Sequence, residues 1–247
     1  MKIYSTVKFF IVLNIICLLQ KSIYAHHKIY SPRVKEGRQS FEWRGHFDVD
    51  DSDSYDKQHH HVLETEYSWT DFWQSELELH ISDKKDTPLD WEKTEFQNQF
   101  QIFDKDNFAS ALYFSFNFVS SENKGDEIEY KYLNEFSNRN LSLTTNFIFE
   151  KQVGKNSSGG TEFSFSNYLL FKKPLITGAT LGLIGFSEMG YIRNFNTFSN
   201  QEHHYGIQLN KEFIFSKNEF EFSIGYLTGI TDSSADHKII WNTEIEF

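Results

Sequence analysis

Cysteine is almost missing from this chain. Cys17 is the only one in 247 residues, so no intrachain disulfide can form, and a thiol nucleophile elsewhere is excluded. Positive charge is scarce: 24 Lys and Arg face 35 Asp and Glu, a formal net charge of -11. Such an acidic balance argues against nucleic acid as a partner. Beyond the first residues there is no apolar run of the roughly 18 residues that a spanning helix needs, which excludes helical membrane spans. Local catalytic signatures are missing too. There is no Gly-x-Ser-x-Gly elbow, no zinc-protease helix motif, no ordered calcium loop and no phosphate-cradling lysine loop.

What is present begins with an export pattern. Lys2 and Lys8 precede the apolar stretch Phe9 to Leu19, and Ser22-Ile23-Tyr24-Ala25 places a small residue before a cut. The pattern predicts a signal peptide over residues 1–25 and a mature start at His26. Cys17 goes with the leader, and Ile16 before it makes it a poor lipoprotein cysteine. Removing Lys2, Lys8 and Lys21 takes the formal charge to -14.

From residue 40 onward the dominant signal is alternation. The last residues, Trp241-Asn242-Thr243-Glu244-Ile245-Glu246-Phe247, put bulky apolar side chains on one face and polar ones on the other. The same period of two recurs in twelve segments, approximately 40–50, 59–69, 72–83, 91–103, 108–120, 127–137, 141–152, 160–172, 175–191, 203–215, 219–230 and 236–247. Linkers between them alternate in kind. Thr70-Asp71, residues 104–107, residues 137–140, Lys173-Pro174 and residues 216–218 are short and polar, and their counterparts at the other end are longer. Leu175 to Phe186 alternates weakly and is rich in glycine, so its register is the least defined, and ten or fourteen strands are the alternative counts.

A mean hydropathy of -0.52 beside 26 Phe, 12 Tyr and 5 Trp is contradictory for a soluble core. It suits a barrel that is greasy outside and polar inside. Phe41, Trp43, Leu77, Leu79, Phe96, Phe114, Phe147, Phe222 and Ile239 are among the residues expected to meet lipid. The competing expectation, a lipocalin-like barrel or sandwich with this set inside, would place more aromatic volume in the interior than a closed barrel holds. The fold class is therefore all-β, a single antiparallel transmembrane β-barrel of twelve strands over residues 40–247. Residues 26–39, without a period, are expected to form a periplasmic N-terminal arm.

With the leader, the alternating strands and the terminal Phe247 in view, the chain resembles the broad class of Gram-negative outer-membrane β-barrel proteins. In that class a C-terminal aromatic strand is recognised by the barrel-assembly machinery, and Trp241, Ile245 and Phe247 match the pattern. The resemblance is architectural and implies an outer-membrane location, without a substrate.

The opposite face supplies the candidate lumen: Glu42, Arg44, Glu64, Glu66, Glu76, Glu78, Lys93, Glu95, Glu129, Lys131, Glu212 and Lys238. With its neighbours this face carries seventeen carboxylates against four cations, Arg44, Lys93, Lys131 and Lys238. The wall alone cannot pair such an excess, so water or mobile cations must supply the rest. That inventory points to a narrow pore or facilitator for small solutes or ions with weak cation preference. The alternative is a non-conducting structural or adhesive barrel whose cations organise a hydrogen-bonded plug. A third reading, a lipid hydrolase at the membrane interface, needs a serine, a histidine base and an orienting group. His59, His60, His61, His80, His203, His204 and His237 show no nucleophile spacing, so no enzyme activity and no cofactor are expected. His59 to His61 and His203-His204, beside acidic residues at the strand ends, are the transition-metal alternative. His26-His27 would be a minor metal-binding arm on the other side of the membrane.

Overall fold

The structure is a computed structural model and describes residues 27–51, 56–83, 88–175, 177–215 and 217–247. The expected leader, residues 1–25, lies outside the described residues. Alternation becomes strand in each of the twelve segments. They are β1 (Gln39–Val49), β2 (His59–Ser68), β3 (Trp73–Ser82), β4 (Asp90–Lys105), β5 (Phe108–Val119), β6 (Asp126–Ser137), β7 (Leu141–Val153), β8 (Glu162–Phe171), β9 (Thr180–Tyr191), β11 (Glu202–Phe215), β12 (Asn218–Gly229) and β13 (His237–Glu246). A two-residue piece, β10 (Asn194–Phe195), pairs back onto Tyr191 and Gly190 within the β9–β11 connection.

Each spanning strand pairs antiparallel with its sequence neighbours, and β13 pairs with β1 from Ser40↔Glu246 to Val49↔His237. The sheet is thus a closed antiparallel barrel of twelve strands. Closure leaves no spanning strand with an unpaired edge, the condition for crossing hydrocarbon with strands. Both ends of the sheet meet at one rim, where the Phe247 amide donates to the Gln39 carbonyl at 2.9 Å. Connections at that rim are mostly short, such as residues 106–107 between β4 and β5. Those at the far rim are longer, such as residues 192–201 between β9 and β11.

The pleat sorts the side chains by face. Phe41, Trp43, Leu77, Leu79, Phe96, Phe114, Phe147, Phe222 and Ile239 all lie exposed on the outer surface, whereas Glu42, Glu64, Glu78 and Glu95 are buried inside. A protein with exposed phenylalanines around its girth and buried glutamates within is inverted relative to a water-soluble one.

One strand start needs correction. The segment expected to open the ninth strand from Leu175 does not pair as strand before Thr180: the Leu175 amide donates to the Ala179 carbonyl at 2.7 Å and the Gly178 amide to the Leu175 carbonyl at 2.9 Å, a turn. Pro174 has no amide for the ladder, and Gly178 takes a left-handed φ of 74°. Apolar residues there imitate a strand without its hydrogen bonds. Further on, Gly182 makes room for a neighbour, since a Cβ there would lie 2.2 Å from the Tyr168 ring. That tyrosine from β8 lies flat over the β9 backbone inside the lumen.

Candidate functional site

Residues 27–38 run up inside the barrel. Their backbone groups, with no strand partner, are taken by amide side chains of the wall. The Tyr30 amide donates to Asn146 Oδ1 at 2.8 Å and Asn146 Nδ2 donates to the Tyr30 carbonyl at 2.9 Å. Gln99 Nε2 donates to the Ser31 carbonyl at 2.9 Å, and the Val34 amide donates to Gln101 Oε1 at 2.7 Å. Tyr30 packs with Tyr113, Ala111 and Leu133 in a small apolar cluster. Lys131 Nζ sits over both rings, 3.8 Å from the Tyr30 centroid and 4.0 Å from that of Tyr113.

The arm also brings charge. Lys28 Nζ donates to Glu64 at 2.6 Å and lies 3.5 Å from Glu76 and 3.8 Å from Glu42. Burial disfavours its charge, but Glu42, Glu64 and Glu76 outweigh that and hold the ammonium well above the ordinary lysine value. Arg33 bonds Asp104 and Glu135, Lys35 reaches Glu246 at 3.4 Å, and Arg38 bonds Glu244 at 2.6 Å. Four cations of the arm therefore enter a wall that has four of its own.

The expected lumen residues fall into groups. Arg44 reaches Glu42, Glu64 and Glu78, the last at 2.7 Å from Nη2, so with Lys28 and Glu76 it builds one buried ionic cluster. Glu95 stands beside it and accepts from the Tyr113 hydroxyl at 2.9 Å. Lys93 faces Glu127 at 3.3 Å, and Lys131 faces Glu129 at 2.7 Å, on the β4–β6 wall. Lys238 is paired with Asp48 at 3.0 Å, further toward the far rim. Glu66 sits lower, 3.8 Å from Arg38. Glu212 joins none of these groups: it is exposed at the near rim, opposite Glu221 in the ladder.

The histidines divide by parity. His46, His60, His80 and His204 are buried inside, and His27 of the arm meets His46 with ring centroids 4.5 Å apart. His80 Nε2 lies 2.8 Å from Glu78 and 3.7 Å from Glu95, a convergence suited to a metal. Of those carboxylates, Glu78 is already ion-paired with Arg44, and Glu95 accepts from the Tyr113 hydroxyl. His59 and His61 have the opposite parity; His59 packs at a tilt on Phe47 and His61 stacks on Trp43. His237 meets Tyr226 through a ring-nitrogen to hydroxyl contact of 2.8 Å.

Sequence spacing missed a serine for His203. Ser187 Oγ lies 2.9 Å from His203 Nδ1, and His203 Nε2 lies 2.8 Å from Gln201 Oε1. Ser187 is only 1% exposed, its hydroxyl is shared with Tyr205, and Phe198 stacks on the His203 ring. The set is a covered network that ties β9 to β11 rather than an open catalytic site.

Beside the arm a cavity of about 360 Å³ remains, lined by the β8–β13 wall and also by Glu42, Arg44, Glu66, Glu76 and Thr144 from the other side. Tyr168, Gln208, Asn210, Glu221, Ser223 and Asn242 line its wall side, and Lys28, Arg33 and Arg38 its arm side. The arrangement can solvate a small polar solute.

No protein-family model matches the sequence, and no curated protein does. Among solved structures the chain is similar to the NanC porin in a rhombohedral crystal form, at 12% identity with a TM-score of 0.57, covering 84% of this chain and 98% of that one. It is also similar to the KdgM porin, at 9% identity and a TM-score of 0.53, again over 84% and 98%. A third likeness is the KdgM porin in complex with disordered oligogalacturonate, at 10% identity and a TM-score of 0.52 over the same shares. The fold is that of a porin-like outer-membrane β-barrel. These likenesses are to porins rather than to enzymes. The barrel departs from a simple tube in holding its own N-terminal segment inside the lumen.

Proposed function

We propose that this barrel carries small hydrophilic solutes along the β8–β13 side of its lumen, preferring cations weakly over anions. The supporting observation is the 360 Å³ cavity left beside the arm. Its walls are polar, and the lumen as a whole carries more carboxylates than cations even after the arm adds Lys28, Arg33, Lys35 and Arg38. A surplus of fixed negative charge in a narrow, low-dielectric passage lowers the barrier for cations and raises it for anions. The oligogalacturonate bound by one structurally similar porin is a polyanion, which this wall disfavours.

Outer-membrane lipid is the partner of the exposed aromatic face. The barrel-assembly machinery is the partner of β13, whose terminal Phe247 is exposed at the rim. A second reading, a non-conducting structural barrel, is favoured by the arm's ion pairs, which join it to the β1–β7 side and to β13. Single-channel recording in a planar bilayer under a potassium chloride gradient separates the two. Discrete conductance with a reversal potential displaced toward the potassium equilibrium value is expected. A silent bilayer would favour the structural barrel, and displacement toward chloride would remove the charge argument.

A further inference from the structure

The upper end of the arm places an imidazole against two others. His27 lies edge-on to His46 of β1, with centroids 4.5 Å apart, and edge-on to His204 of β11 at 6.2 Å. Imidazoles that share a tetrahedral zinc at a Zn–N distance of about 2 Å have centroids roughly 5 Å apart, so the two separations bracket that of a formed site. The three residues come from three separate segments, and the wall strands that carry two of them are not adjacent: β12 and β13 stand between β11 and β1.

These rings also have nitrogens to give. His204 is 96% buried, and its Nε2 has no hydrogen-bond partner; both ring nitrogens of His27 are likewise buried and unpartnered. Burying a polar atom with nothing to bind costs on the order of 1–3 kcal/mol, a cost that a ligand removes. Asp48 stands 4.0 Å from His46 Nε2, and Lys238 pairs with it at 3.0 Å, which offsets the one cation nearby. Phe186 packs on His27 at 4.9 Å, giving the site an apolar side.

We infer that His27, His46 and His204 form a binding site for a borderline divalent transition-metal ion of the zinc or copper(II) class, closed when the arm lies in the lumen. Nitrogen donors select such ions over magnesium or calcium, which take oxygen. As the rings stand, the three do not form a group with all ligand atoms within 4.8 Å of one another, so the ion closes the site by turning them toward it, with water as the fourth ligand. The bound ion then ties the arm to β1 and β11 together.

The test uses the full chain in detergent, stripped of metal with chelator and titrated with zinc ion by calorimetry. One ion per chain is expected, with His27→Ala and His204→Ala each weakening binding by roughly a hundredfold. The outward-facing double variant His59→Ala/His61→Ala is expected to bind like the unaltered chain. Equal affinity in the His27 and His204 variants, or loss only in the His59/His61 variant, would overturn the assignment. Heat-modifiable migration on gels reports whether each variant has closed its barrel. Cobalt(II) added to the unaltered chain decides independently of any variant: intense visible bands of a tetrahedral nitrogen-rich site support the inference, and the weak spectrum of the hydrated ion refutes it.

Discussion

The β1–β7 wall and the β8–β13 wall enclose the same lumen but are built for different neighbours. On the first, long side chains reach inward and end in charge: Glu42, Arg44, Glu64, Glu76, Glu78, Glu95, Glu129 and Lys131 are all buried. They are buried because the arm lies on them. On the second, several inward positions are short or uncharged, with Ser166, Gly182, Gln208, Asn210 and Ser223, beside a smaller set of charges that includes Glu221 and Lys238. The contrast teaches that charge inside a barrel does not by itself indicate an open passage, since it equally marks where another segment is held.

Removing the arm breaks the contrast most severely. Deleting residues 28–38 should raise unit conductance severalfold and sharpen cation preference, because four cations leave while the wall carboxylates stay; bilayer recording with reversal potentials checks both. Arg44→Ala comes next. It strands Glu42, Glu64 and Glu78 in the interior, and loss of about 3–5 kcal/mol is expected from breaking a buried ionic cluster, measured by urea unfolding in detergent or vesicles. Arg44→Met, which keeps the aliphatic stem, tells stem packing from charge. Tyr30→Ala should loosen the arm with a smaller loss of stability, and Tyr30→Phe should leave it seated, as protease protection of residues 27–38 would show. On the open wall, Glu221→Gln should reduce cation preference modestly and more at low salt than at high, because screening shortens the reach of a single charge. The smallest effect belongs to Glu212→Gln: at the exposed rim it should leave conductance and stability unchanged, and a large change there would undo the division into walls.

The barrel itself was legible because period-two alternation is a local property. Phe114 and Tyr113, one residue apart, already announce opposite solvents, and repetition over twelve segments closes the argument. The start of β9 was misread since residues 175–179 are apolar enough to continue a strand, while the turn depends on Pro174 and on the φ of Gly178. The lumen residues were found by parity, but their partners were not, because Lys28 and Glu64 are joined across the barrel and not along the chain. An aperiodic segment carries no pattern of its own. Its one local signal was compositional: Lys28, Arg33, Lys35 and Arg38 cluster in a chain that is elsewhere acidic, complementary to the very excess that the wall could not pair. The same limit applied to His27, which sequence placed with the arm on the far side of the membrane from the mouth histidines; the fold brings it to His46 and His204.

Arg38 stands where the arm turns into β1, and it reaches Glu66 on β2 at 3.8 Å as well as Glu244 and Glu246 on β13 at 2.6 and 3.2 Å. These are the strands on either side of β1, so one guanidinium clasps both flanks of the seam. Order of assembly follows from that. Until the last strand has met the first, two of the three carboxylates on which the segment pivots are absent, so its final seating and the zipping of the circle are a single step, and a chain halted before β13 should leave its N-terminal residues loose.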